Sequence, residues 1–161
     1  MTPAEYEQLV ADIAGGIREG AADLQDLVLA SAGANRLPGA SSYRHQIDVS
    51  LEGPKRVFLI ECKRWDEKVG VEEVLVLAAR ASDILQARPG CAVRAILVSK
   101  VGVTRGATLL AKHFGIELEI VLSPREFGLQ LGRHVRVGMS DGAKLGDSIA
   151  DSVTRGGSVV D

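Results

Sequence analysis

Apolar residues recur at helical spacing at Tyr6, Leu9, Val10, Ile13 and Ile17, behind a proline at position 3, so the chain opens on an amphipathic helix. Gly15, Gly16 and Gly20 weaken its end, and the Leu, Val and Ala content of 21–30 predicts a second helix or a continuation of the first. Residues 31–42 are dense in Gly, Pro, Ser and Ala and predict an exposed loop. The period then drops to two. Ile47, Val49 and Leu51 alternate with Gln46, Asp48 and Ser50 as in a half-buried strand, and Glu52-Gly53-Pro54-Lys55 is turn chemistry. A second strand over 56–63 places Phe58, Ile60 and Cys62 on one face and Val57, Leu59, Glu61 and Lys63 on the other, which makes the pair a β-hairpin.

From Val71 the period is helical again, with Val71, Val74, Leu75, Ala78, Ala81 and Leu85 as the expected core stripe, ending before Pro89-Gly90. The β-branched run 92–99 predicts a buried central strand. Thr104 is placed to cap a helix carrying Ala107, Leu110, Ala111 and Phe114, Gly115 ends it, and 116–122 predicts a last strand. This order of elements specifies an α/β layer sandwich around a mixed sheet. Residues 1–132 are expected to form one domain. Residues 133–161, rich in Gly, Ser, Asp and Val without periodicity, are expected to form a flexible C-terminal extension.

Composition narrows the class. Among 161 residues 46% are hydrophobic but only 4% aromatic, so the core is aliphatic and one domain's worth in size. No apolar run is long enough to span a bilayer and the start lacks the pattern of a signal peptide, which gives a soluble, cytoplasmic expectation with no membrane partner. Cys62 and Cys91, both within apolar stretches, read as reduced thiols, and the three histidines show no zinc-ligand spacing with them. A formal net charge of -2 argues against electrostatic coating of nucleic acid along the whole surface. The charge is nevertheless segregated: residues 1–31 set six acids against Arg18, whereas 88–136 carry eight Lys and Arg against three Glu. A polyanion could meet that second half selectively.

The hairpin carries the chemistry. With Leu51 and Arg56 closing the turn, Asp48 falls opposite Leu59 and diagonal to Glu61, and Lys63 shares their face. Two carboxylates with a backbone or water oxygen make the hard oxygen corner that Mg²⁺ prefers, and a lysine beside them suits phosphodiester hydrolysis. Asp48, twelve residues, then Glu61-Cys62-Lys63 resembles the metal and lysine motif of the PD-(D/E)xK nuclease superfamily. Within it the chain is similar to the Mrr-type restriction endonuclease-like domains, through Tyr6-Glu7-Gln8-Leu9-Val10, Glu61-Cys62-Lys63-Arg64-Trp65 with Val69-Gly70, and Ile96-Leu97-Val98-Ser99 with Ala107, Ala111 and Phe114-Gly115-Ile116. The resemblance spans roughly residues 5–122. It implies a restriction endonuclease-like three-layer sandwich with an αβββαβ-like core, and cleavage of DNA dependent on Mg²⁺, with Mn²⁺ as a substitute. It further implies metal held by Asp48 and Glu61, Lys63 as the catalytic lysine, and Glu7 as an assisting carboxylate. Many Mrr-type domains have Gln at the position of Glu61, and no proline precedes Asp48.

Each residue also has a plainer reading. Glu61 with Lys63 or Arg64 makes an ordinary ion pair on a solvated strand face. Glu7 suits the positive end of any helix, and Glu5 competes for its role. Lys100, Arg105, Arg64 and Gln46 are weaker candidates for DNA contact, with a solvated helix start as the alternative for Lys100 and Arg105. Trp65 reads as packing at the hairpin's end, and His45 and His113 as loop or surface histidines. Cutting both strands of a duplex needs two sites, hence an expected homodimer. The competing functions are a non-catalytic nucleic-acid-binding or protein-interaction module on the same fold, and a structure-specific DNA resolvase.

Overall fold

Thr2 and Glu5 cap the first helix reciprocally: the Glu5 amide donates to Thr2 Oγ1 at 3.2 Å and the Thr2 amide to Glu5 Oε2. With Pro3 at its first position, α1 runs Pro3–Gly20, straight through Gly15 and Gly16. The computed structural model describes residues 2–20, 24–31, 35–63 and 67–120. Arg64, Trp65, the last two residues of the predicted strand 116–122 and the extension 133–161 lie outside them.

The remaining elements are β1 (Val28–Ser31), β2 (Arg36–Pro38), β3 (Arg44–Gln46), β4 (Val49–Glu52), β5 (Arg56–Lys63), α2 (Val71–Gln86), β6 (Ala92–Ser99), α3 (Arg105–Phe114) and β7 (Glu117–Ile120). Five strands form a mixed sheet in the order β1-β4-β5-β6-β7, antiparallel as far as β5 and parallel beyond it. Helix α1 covers one face over Val49, Leu51, Phe58, Ile60, Ile96 and Val98. Helices α2 and α3 cover the other over Val57, Leu59, Val93, Ala95 and Leu97. The result is the three-layer sandwich, and β5 lies buried on both faces at its centre.

Four local expectations are corrected. Residues 28–31 are a strand, not helix: Leu29 pairs with Leu51, and the open edge of β4 supplies hydrogen bonds that outweigh local helical preference. The breaker-rich stretch is not simply loop, since β2 and β3 pair as a separate two-stranded ribbon whose Leu37 is buried in the α2-side core. Third, the β4–β5 register pairs Leu51 with Phe58 and Val49 with Ile60, two residues away from the expected one, because the turn hydrogen bond joins the Gly53 amide to the Arg56 carbonyl at 2.9 Å. A two-residue shift keeps the side chains of the paired residues, Val49–Glu52 and Val57–Ile60, on their expected faces. Last, the core stripe of α2 is Val74, Leu77, Ala78, Ala81 and Ile84, rotated from the predicted one so that Val71 and Leu75 face outward.

The other elements match their signals. Strand β6 occupies 92–99 as predicted, Thr104 Oγ1 accepts from the Ala107 amide at 3.3 Å, and Gly115 ends α3 at φ 67°. Both cysteines are free thiols.

The rotated stripe gives a direct test. Leu77 is 1% exposed and Leu75 is 44% exposed. Leu77→Ala is expected to cost about 2–5 kcal/mol in chemical denaturation, and Leu75→Ala no more than about 0.5 kcal/mol. Equal losses would contradict the placement.

Candidate active site

Strand β5 is apolar from Val57 to Ile60 because both its faces are covered, and its polar residues stand at its ends, Arg56 at one and Glu61 and Lys63 at the other. At the carboxyl end Glu61 is 6% exposed on the α2 side of the sheet. A buried carboxylate demands partners. Lys63 Nζ, two residues along the same face, donates to Glu61 Oε1 at 2.9 Å, and Arg80 Nη1 reaches Oε1 at 3.3 Å and Oε2 at 3.2 Å from α2. Glu61, Lys63, Glu72, Glu73, Val76 and Arg80 border an open cleft of about 190 Å³. The plainer reading of an ion pair on a solvated face is thus half met: Glu61 does pair with Lys63, but it lies buried under a helix and pairs with Arg80 as well.

Asp48 reaches the same strand by an unusual route. Continuing the β4–β5 register would set Ile47 opposite Cys62, but the strand stops at Val49. Ile47 turns into the α2-side core, its carbonyl held by Asn35 Nδ2 at 3.0 Å, while Val49 packs on the α1 side. Asp48 Oδ2 then accepts from the Cys62 amide at 2.7 Å, replacing the missing ladder bond with a carboxylate. The predicted unbroken alternation over 46–51 fails at this corner, and so does the diagonal placement of Asp48. Its attachment next to Glu61 nevertheless survives, through the backbone of Cys62.

The carboxylates feel one another. Burial, and then the charge of Glu61, push the Asp48 carboxyl up to about 6, against the Cys62 amide that favours its ionised form, and Glu7 on α1 adds to the rise. Burial followed by the Asp48 charge likewise raises the Cys62 thiol, so this cysteine is no thiolate nucleophile. Glu7 on α1 is thus near enough for its charge to act on Asp48, whereas Glu5 is engaged in the helix cap. Among the described residues no three His, Cys, Asp or Glu side chains assemble into a metal cage. The donor set instead suits a cation that keeps most of its waters and takes one or two carboxylates, with negative charge in excess around Asp48.

A family model described as restriction endonuclease (Mrr_cat) matches residues 1–124. The chain belongs to this restriction endonuclease family. In fold the chain is similar to AF1548, a protein of unknown function whose crystal structure matches with a TM-score of 0.50 at 19% identity, over 68% of this chain and 56% of that one. A repair endonuclease from Pyrococcus abyssi matches with a TM-score of 0.44 at 24% identity, over 69% and 46% of the two chains. EndoMS in its apo form gives 0.39 at 22% identity, over 69% and 45%. This Mrr-type chain thus spans about half the length of these solved structures. No curated protein matches it.

The weaker candidates of this Mrr-type domain are scattered. Lys100 comes next to the site, its amide donating to the Lys63 carbonyl at 3.3 Å, while Arg105 is exposed at the start of α3. Gln46 is exposed on β3, two residues before Asp48. Sequence reasoning missed Arg80, whose only signal is a cation within the small-residue run Ala78-Ala79-Arg80-Ala81 of an amphipathic helix. It also missed a partner for His45: Nε2 lies 2.7 Å from Asp83 Oδ2, which accepts from Ser41 Oγ at 2.6 Å, while Asp83 Oδ1 accepts from the Ser41 amide at 2.9 Å. A Cβ at Gly39 would stand 1.8 Å from Asp83 Oδ2, so only glycine lets the ribbon tip approach α2 this closely.

The Asp83 clasp has a pH signature. Hydrogen bonds, first from Ser41 and then from His45, lower its carboxyl from the ordinary 3.8 to about 2. A depressed folded value means that the stabilisation is complete above about pH 4 and is lost as the pH falls through about 2. Thermal melts of native protein and Asp83→Asn are expected to differ at neutral pH and to converge over that acid window. A difference that persists unchanged at pH 2 would contradict the assignment.

Proposed function

We propose that this chain is a divalent-metal-dependent endonuclease that hydrolyses phosphodiester bonds in DNA. The observation that carries this reading is a buried glutamate held between a strand lysine and a helix arginine, with a second carboxylate fixed to the very next backbone amide. A fold has little structural reason to gather that set at a strand's carboxyl end, because burying like charges together is costly. A metal that joined Asp48 and Glu61 would relieve that cost. Mg²⁺, or Mn²⁺ in its place, would be held by these two residues and would supply Lewis-acid stabilisation at the phosphate when bound.

The protein's own groups divide the remaining work. Lys63 orients or deprotonates the water that attacks phosphorus, and its charge favours the pentavalent transition state as the P–O bond to the leaving sugar oxygen breaks. Arg80 holds Glu61 from the opposite side and so fixes the direction its oxygens face. Glu7 completes the carboxylate environment of Asp48. Lys100 stands where it can meet the phosphate strand beside Lys63. A second copy of the chain serves the other strand of the duplex, and the reading implies a cytoplasmic protein. Among the described residues no helix is long and apolar enough to cross a membrane.

Incubation of purified protein with supercoiled and branched DNA is expected to give cleavage that requires Mg²⁺ or Mn²⁺ and stops with EDTA. Asp48→Ala and Lys63→Ala are each expected to lower the rate by roughly 10²–10³-fold. Arg80→Ala, which acts through Glu61, is expected to cost about 10–100-fold. Cleavage that survives in Lys63→Ala would overturn the proposed chemistry, and no cleavage of any substrate would leave a binding module on this fold. Preference for branched over linear duplex would assign the resolvase role.

A further inference from the structure

The β2–β3 ribbon is small, exposed and unusually well anchored. Leu37 and His45 point inward, to the core and to Asp83, so the intervening positions Arg36, Pro38, Arg44 and Gln46 all face out. Tyr43 adds an aromatic ring, 64% exposed, at the tip. Neither Arg36 nor Arg44 forms an ion pair with any carboxylate among the described residues, and no Asp or Glu occurs between Asp26 and Asp48. In a chain with 21 acidic residues, this is a local cationic face on an acidic molecule.

Both ends of the ribbon are fixed to the candidate site. At its base Asn35 Nδ2 binds the Ile47 carbonyl at 3.0 Å and Ser50 Oγ at 3.2 Å, and Asp48 follows Gln46 by two residues. At its tip the Ala40 amide donates to the Asp83 carbonyl at 3.0 Å, and Ser41 and His45 hold the Asp83 side chain, one helical turn beyond Arg80. An outward loop in need of folding stability alone would not require a cationic, aromatic outer face. A ribbon two strands wide, about 5 Å between backbones, fits the major groove of B-form DNA, about 12 Å across.

We propose that the β2–β3 ribbon is the duplex-docking element of this protein, with Arg36, Arg44 and Gln46 directed at one groove and its flanking phosphates, and Tyr43 at the backbone. It sets where the strand enters the cleft of Glu61, Lys63 and Arg80. The identity of the partner rests on the nuclease reading; the ribbon's geometry does not.

The test is fluorescence anisotropy of a short labelled duplex titrated with the full chain in EDTA, over a series of salt concentrations. Arg36→Gln and Arg44→Gln remove charge while keeping a donor, and Arg44 Nη2 donates to the Arg36 carbonyl at 3.1 Å, so native melting temperatures check that each variant is folded. Each is expected to weaken binding about tenfold and to lower the salt slope by about one. Lys55→Ala, in the turn at the opposite end of β5, is expected to bind as the native protein does. Native affinity and slope in both arginine variants would overturn the proposal. Cleavage of supercoiled DNA with Mg²⁺, read in parallel, separates the two claims. Ribbon variants that bind and cut normally sink the ribbon alone, whereas ribbon-dependent binding without any cutting supports the ribbon and sinks the nuclease.

Discussion

The fold is organised around the burial of one carboxylate. Glu61 sits on the strand that is covered on both faces, where an ionised group is tolerated only if it is fully partnered. Its partners come from two layers, Lys63 from the sheet and Arg80 from the helix above it. That helix must therefore pack at one rotation, with Leu77 inward and Arg80 at the cleft, and the outward turn of Val71 and Leu75 follows from this arrangement. The sandwich holds the charge cluster in place, and the charge cluster fixes how the layers meet.

A second constraint is the corner at Ile47 and Asp48. A strand running unbroken from 46 to 51 would satisfy every backbone group with a ladder, yet would aim Asp48 along the sheet in an ordinary way. Breaking it lets Ile47 join the α2-side core and Val49 the α1-side core, and leaves the Cys62 amide to be met by the Asp48 carboxylate. The same break releases the ribbon of β2 and β3 from the sheet, with Asn35 bonding to three groups at the junction. One departure from regular structure thus positions both a site carboxylate and a projecting arm.

How much of this was legible in the sequence depended on how local the cause was. Strand β6 and the caps of α3 are written in adjacent residues and came out correctly. So did the face assignments of β5, because a two-residue register error leaves parity unchanged. The strand at 28–31 was invisible because its cause lies in β4, well downstream in the chain, and the ribbon was hidden by the very Gly, Pro and Ser that build its turn. Motif spacing singles out Asp48, Glu61 and Lys63, and the fold brings them together, although the geometry joining them differs from the one expected. Arg80 and the Asp83 clasp left no motif, since helix-to-sheet contacts depend on a rotation that periodicity alone placed wrongly.

The charge cluster lies at the carboxyl end of β5, and the central proposal is that Asp48 and Glu61 share a divalent cation there. Anomalous diffraction from crystals soaked in Mn²⁺ measures this directly. The account predicts a single strong peak bonded to an oxygen of Asp48 and one of Glu61, with Lys63 drawn away from Glu61, and no such peak in crystals of Asp48→Ala. Crystals without a peak at these carboxylates, in which Lys63 and Arg80 still clamp Glu61, would contradict it.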